Sequence, residues 1–331
     1  VRLIVGLCLA LILFAACTST ESRKRVQQWE QWKQPNGKLK VLSTTAMIDD
    51  IVRQVGGEHI DALVLISGEL DPHSYQMVKG DDEKFQFADV IFFNGLGLEH
   101  TPSMHQYLEK NPKAVGLGNL LKQHHPSLIL YYDGQLDPHV WMDISLWAKT
   151  IEYVVSNLSQ RDQKNAQEYA RNGHVLYEQF MQQHREILAM MSHVPESKRY
   201  LVTSHDAFHY FTQAYLATEE EKQNDGWRKR FAAPEGLSPE SQLSAVDIQH
   251  IIEHLAAHQI EVVFTESNVS HDSLRKIVHA GKEKGLNLNI AHAALYADAL
   301  GKPGSEGDTY LKMIHYNAHT IQRILNKGDI Q

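Results

Sequence analysis

Apolar and polar positions alternate in blocks along most of the chain. Leu39 to Ser43 is a short continuous apolar run of the kind a buried strand shows, and Met47 to Val55 carries apolar residues at helical spacing before Gly56-Gly57. Ala62 to Ile66 is apolar again, Glu83 to Ala88 has helical character, and Val90 to Phe93 reads as a strand closed by the turn pair Asn94-Gly95. A β-α-β-α-β order predicts a mostly parallel sheet covered by helices.

Between Ser156 and His193 the pattern changes. There is no proline and one glycine, Gly173, while Ala170, Leu176, Tyr177, Phe180, Met181, Ile187, Leu188 and Met191 keep helical spacing. One long amphipathic helix is expected, with two helices broken near Gly173 as the alternative. After Pro195 the alternation resumes. Strands are expected at Tyr200 to Thr203, Ile260 to Phe264 and Leu286 to Ile290, with helices at Ala207 to Ala214, Ile248 to His258, Asp272 to Lys284 and Thr309 to Asn326. The fold class is therefore α/β: two Rossmann-like lobes with mostly parallel sheets, residues 38–155 and 195–331, joined by one long rigid helix over 156–194.

The N-terminus departs from this pattern. Arg2 precedes the apolar run Leu3 to Phe14, and Ala15-Ala16 leads into Cys17, the layout of a signal peptide over residues 1–16. The run is shorter than the roughly 20 residues a spanning helix needs. The site resembles a bacterial lipobox, which would place a lipid on Cys17, although Phe14 stands where leucine is usual. Residues 17–37 are polar and aperiodic and read as a tether.

Composition narrows the chemistry. Cys8 lies in the leader and Cys17 at its end, so no pair remains for a disulfide in the folded body, and any metal site there must use nitrogen and oxygen donors. Such donors suit zinc, manganese or ferrous iron. The net charge is −8 and no basic block is dense enough to track a phosphate backbone, which argues against nucleic acid as a partner. The cluster Arg228-Lys229-Arg230 sits among acidic neighbours and reads as a solvated loop, part of a charged surface insertion over 218–233.

Among 20 histidines, position has to select the ligands. Asp71-Pro72-His73 follows one expected strand, and the same word recurs as Asp137-Pro138-His139 after the apolar stretch Leu128 to Tyr132. Proline fixes its own φ and holds the preceding Asp extended, so each word aims its imidazole in a defined direction. His205 follows directly on an expected strand in the second half, and Asp298 lies in the loop after Leu286 to Ile290. Ligands of open α/β sheets bind at such strand ends. His205 with His209 also has the i, i+4 spacing of a zinc-protease helix, but Asp206 stands where that motif carries Glu, and His209 is taken as a helix residue facing core or solvent.

At these positions the sequence resembles the metal-binding lipoproteins that serve ABC importers of zinc, manganese and iron, the cluster A-I solute-binding proteins (family 9). The resemblance is carried by DPHSY (71–75), FNGLGLE (93–99), DPHVWMD (137–143), TSHDAFHYF (203–211), GLSPES (236–241), FTES (264–267) and YADALG (296–301). It implies two lobes on one long helix, with one divalent ion (Mn2+, Fe2+ or Zn2+) between them held by His73, His139, His205 and Asp298. It also implies a membrane permease with a cytoplasmic ATPase as partner, a lipid anchor at Cys17, and a monomer outside the cytoplasmic membrane. The long His-rich loop of zinc-specific members is represented only by Lys122-Gln123-His124-His125.

Imidazole orientation normally depends on a supporting acceptor, for which Asp143, Asp206 and Glu266 are the candidates. A metal-dependent hydrolase is the rival reading. It requires an open coordination position, and no separate base or nucleophile motif is found.

Overall fold

The computed structural model describes residues 27–239 and 243–327. The expected signal peptide, Cys17, the first part of the tether and the end of the GLSPES word lie outside the described residues. The rest of the expected tether is folded: residues 27–32 are helical, Trp32 is buried in the first lobe with Nε1 donating to Asp61 O at 2.8 Å, and Lys40 Nζ donates to Gln34 O at 2.7 Å, so two tryptophans in a polar stretch outweigh its lack of periodicity.

Strand β1 (Leu39–Ser43) is buried along nearly its whole length and sits inside a parallel four-stranded sheet of order β2-β1-β3-β4, with β2 Ile60–Val64, β3 Val90–Phe93 and β4 Ala114–Gly116. Burial on both faces is why the central strands β1 and β3 read as continuous apolar runs. Four helices connect and follow them: α1 (Ala46–Gly56), α2 (Asp81–Phe87), α3 (Pro102–Glu109) and α4 (Leu117–His124). Helix α1 buries Met47, Ile48, Ile51, Val52 and Val55 on one face. The apolar stretch before the second DPH word is not a sheet strand. Tyr131–Tyr132 (β5) and Gln135–Leu136 (β6) form a small antiparallel hairpin turning through Asp133 and Gly134, both at positive φ.

The long helix is shorter than its pattern suggests. Residues 156–161 belong to α6 (Thr150–Arg161), which follows the short α5 (Ile144–Trp147), and α7 runs over Ala166–Ser192. The break falls at Asp162, whose carboxylate accepts from Asn165 Nδ2 at 2.7 Å and Tyr169 Oη at 2.6 Å and so stabilises a turn against helix continuation. Gly173 is no break: it lies inside α7, where a Cβ would come 2.4 Å from Val155 Cγ2 of α6. Its missing side chain lets the two helices close together. Tyr169, Gly173, Leu176, Phe180, Ile187 and Met191 form one buried stripe down α7. The N-terminal half meets the first lobe, with Asn172 donating to Val55 O at 3.0 Å. The C-terminal half meets the second, where Phe180 packs on Tyr310 at 5.0 Å between ring centroids.

The second lobe has four two-residue strands, β7 (Leu201–Val202), β8 (Phe231–Ala232), β9 (Val262–Val263) and β10 (Asn289–Ile290). β7 pairs with β8 and β9 with β10, both parallel, and Phe264 N donates to Val202 O at 2.8 Å to join the pairs. Helices α8 (His209–Phe211), α9 (Glu219–Gln223), α10 (Ala245–Ala257), α11 (Asp272–Glu283) and α12 (Tyr310–Lys327) surround them. The expected helix from Ala207 is only the single turn of α8, continued by a wider π turn over Thr212–Leu216.

Residues 218–233 are exposed over much of their length, as a charged surface segment would be, but they are anchored. Trp227 is fully buried, Arg230 is buried against Glu221 and donates to Glu196 O at 2.9 Å, and the segment ends as edge strand β8 beside β7. Charge in the sequence hid the buried Arg230–Glu221 ion pair and the aromatic anchor Trp227. One apolar cluster runs from Val41 and Ile48 through Phe180 and Met191 to Phe264 and Ile321, so both lobes and α7 share a core.

Replacing Gly173 with Leu is expected to destabilise the protein by about 3 kcal/mol through overpacking against Val155. Helix propensity alone would give the opposite sign, by about 1 kcal/mol. Urea denaturation of the two proteins reads which term wins.

Candidate metal centre

Both DPH words fold the same way. Asp71 Oδ1 accepts from His73 N at 2.8 Å, and Asp137 Oδ1 accepts from His139 N at 2.9 Å. An Asp that receives the N–H two residues on makes a tight side-chain turn, and the intervening proline has no N–H to compete. The first word lies between β2 and α2, the second after the hairpin. Asn94 Nδ2 ties the second to the strand end of β3 by donating to Pro138 O at 2.9 Å. The FNGLGLE loop is itself pinned by Glu99, which accepts from Asn94 N at 2.9 Å, Gly95 N at 3.0 Å and Thr44 Oγ1 at 2.7 Å.

In the second lobe His205 sits just past β7 and Asp298 in the loop after β10, both at the carboxyl ends of parallel strands. Glu266, just past β9, gathers this side of the site. Its carboxylate accepts from Ser204 N at 2.8 Å, from His205 N at 3.1 Å and from the ring Nδ1 of His205. Asn268 Nδ2 reaches Asp298 Oδ2 at 3.4 Å.

The two lobes bring His73, His139, His205 and Asp298 together, all buried, with one donor atom from each lying within 4.8 Å of the others. His73 Nε2 is 3.3 Å from His139 Nε2, His139 Nε2 is 3.5 Å from Asp298 Oδ1, and His205 Nε2 is 3.1 Å from Asp298 Oδ2. The donors of a tetrahedral ion with bonds of about 2.1 Å stand about 3.4 Å apart. Proton placement supports the same reading. Asp137 Oδ1 accepts from His139 Nδ1 at 2.8 Å and Glu266 accepts from His205 Nδ1, so in the neutral rings each Nε2 presents a lone pair to the centre. His205 Nε2 and Asp298 Oδ1 are buried without a hydrogen-bond partner.

Charge is distributed to match. Burial would raise the Asp298 carboxyl, but His205 and then His139 outweigh it and hold it well below the usual carboxylate range. Burial would lower His205, yet the Glu266 and Asp298 carboxylates hold it well above the ordinary imidazole value. His73 is pushed down by burial and by the other imidazoles, so it stays neutral.

Of the three supporting candidates, Glu266 alone touches one of the four. Asp143 caps α5, accepting from Ser145 N at 2.8 Å, and stands 3.9 Å from His184. Asp206 lies 3.8 Å from Nε2 of His209, and burial together with Asp137 pushes its carboxyl well up. The residues missed are Asp137 and His209. Asp137 holds the His139 ring and, through Oδ2, accepts from His209 Nδ1 at 2.9 Å, linking the lobes. His209 is packed between Tyr132, Trp227 and Phe231. The Asp of the DPH word was read as a backbone device only, and nothing in the sequence signals its ring contact.

Residues 41–324 match the family described as ZnuA, zinc-uptake complex component A periplasmic. The metal-binding protein YtgA of Chlamydia muridarum is 36% identical over 316 residues, 95% of this chain and 92% of that protein. The manganese-binding lipoprotein MntA of Bacillus subtilis is 31% identical over 295 residues, 88% of this chain and 92% of its own. The crystal structure of Fe(III)-bound YtgA from Chlamydia trachomatis superposes with a TM-score of 0.82 at 38% identity, covering 87% of this chain and 98% of that one.

Two outcomes are expected. Asp137→Asn frees the His139 ring and should weaken metal affinity by roughly 10- to 100-fold, the usual cost of losing a supporting acceptor, with the fold intact by circular dichroism. Affinity should also rise with pH until His205 has lost its proton, because the ion must displace a proton held unusually firmly there, and then level off. Calorimetric titration with Mn2+ or Zn2+ across that range, with proton release read from buffers of different ionisation enthalpy, checks this.

Proposed function

This chain belongs to the ZnuA family, zinc-uptake complex component A, and from that premise we propose that His73, His139, His205 and Asp298 capture one divalent transition-metal ion as cargo for an ABC importer. Members of the family are substrate-binding transport proteins, not enzymes. The feature that most supports the ligand assignment is the convergence of three imidazoles and an ionised carboxylate on one buried point, two donors from each lobe. The hydrolase reading needs an open position for water, and four protein donors fill a tetrahedral ion.

The relatives' names differ in metal: zinc for the family, manganese for MntA, Fe(III) for the YtgA structure. Nitrogen and oxygen donors accept Mn2+, Fe2+ or Zn2+, and the affinity order among these favours Zn2+ in vitro. The cargo is therefore set by supply and by the importer as well as by the site. Residues 1–16 serve as the export signal and Cys17 as the lipid anchor in this reading, which the lipoprotein character of MntA supports. The tether in this reading is what precedes Gln27, the lobes take 27–161 and 195–331, and α7 connects them. No helix among the described residues is long and apolar enough to cross a membrane. All four donors come from one chain, so a monomer suffices.

Protein recovered from its native compartment should carry one ion per chain by elemental analysis. His205→Ala and Asp298→Ala should each weaken affinity by more than the roughly 100-fold upper cost of losing a supporting residue. Unchanged metal content in either variant removes the assignment.

A further inference from the structure

Of the four converging residues, His73 is the one that lines the cavity beside the centre. It lines a cavity of about 650 Å3 between the lobes, whose wall also holds His100, His105 and Glu109 from the first lobe and Gly236 and Leu237 from the second. His139, His205 and Asp298 are not in that wall, and their side chains are fully buried. An ion bound for the centre by this cavity meets His73 first.

His100 stands beside His73 at the end of the FNGLGLE loop. It is exposed, and its ring centroid lies 6.0 Å from that of His73. The three imidazoles of the centre are separated by 5.3 Å, 5.3 Å and 6.1 Å, so His100 stands as close to His73 as His205 does. Its Nδ1 lies 3.2 Å from Gly97 O. A carbonyl can only accept, so that nitrogen carries the proton and Nε2 keeps its lone pair. Gly95, Leu96 and Gly97 all have positive φ, and Glu99 pins the loop from inside, so the backbone that presents His100 is fixed. On the facing helix α3, His105 Nε2 and Glu109 Oε1 stand 3.5 Å apart at the cavity wall, adding a second donor pair within the same mouth.

We propose that His100 and His73 form a two-imidazole staging site for a divalent first-row transition cation, from which the ion passes to the centre as His73 turns from one partner set to the other. The proposal rests on the four-residue capture site. Two nitrogens bind such an ion too weakly to keep it, whereas four donors do, so the ion moves inward. His100 replaces part of the hydration shell while His73 is being engaged, which lowers the barrier without altering the bound state. A residue on the path but absent from the end state changes association and dissociation by the same factor and leaves the equilibrium constant alone. A fifth ligand would instead change the equilibrium constant.

Stopped-flow mixing of the full chain with Mn2+ or Zn2+ separates these cases, read by fluorescence of Trp141, whose ring lies 5.3 Å from His139. His100→Ala is expected to slow association by about tenfold, within the span over which variants of one site differ. Dissociation into excess chelator should slow by the same factor, with Kd unchanged. His279→Ala, at a histidine 79% exposed on α11, is the control and should match wild type. Unchanged rates in His100→Ala overturn the proposal, as does a weaker Kd with association intact. If the wild-type chain binds neither ion, the capture reading itself fails.

Discussion

Three imidazoles and a carboxylate gathered in a dry interior give up the water that would solvate them, and much of the structure serves to hold them in place. The arrangement persists because the outer nitrogens of His139 and His205 are each tied to a buried carboxylate, Asp137 and Glu266, which settles where the protons sit. Those carboxylates need donors of their own. Glu266 finds them in two backbone N–H groups past β7, Asp137 in His209 and the turn of its own word. The centre is thus the innermost layer of a nested set of hydrogen bonds that ends in strand termini.

The same bonds decide how the lobes are joined. His209 and Tyr210 of the second lobe reach Asp137 of the first, the Tyr210 hydroxyl donating to its carbonyl at 3.1 Å and accepting from Leu130 N at 2.9 Å. Trp141 donates to Ala297 O at 2.9 Å, next to Asp298, and Tyr310 Oη donates back to Trp141 O at 2.6 Å. With α7 seated along a core shared by both lobes, the connection is a packed wall rather than a free rod. A centre built half from each lobe keeps its geometry because few independent motions are left to spoil it.

The sequence carried the parts of this that are local. Repetition of DPH, placement of His205 after an apolar run and the helical spacing of Leu176, Phe180 and Ile187 all reflect short-range rules, and each residue is where those rules put it. What escaped was decided across the chain. Asp162 ended a helix pattern that apolar spacing continued, since a single turn-stabilising carboxylate outweighs periodicity. Arg230 reads as solvated because its partner Glu221 lies nine residues away, and the burial of such a pair has no periodic signature. Asp143 was nominated for its place in a word and turned out to cap α5, while the contacts of Asp137 with His209 span the lobes and cannot be read from spacing.

The carboxylates behind the imidazoles have an electrical consequence. Asp298 and Asp137 lie fully buried, and against that burial the imidazoles pressed on them hold both carboxyls well below the usual carboxylate range. Low permittivity magnifies any unbalanced charge placed beside them. The charge of an ion set among these groups would therefore enter its binding free energy directly, apart from ionic radius or donor softness.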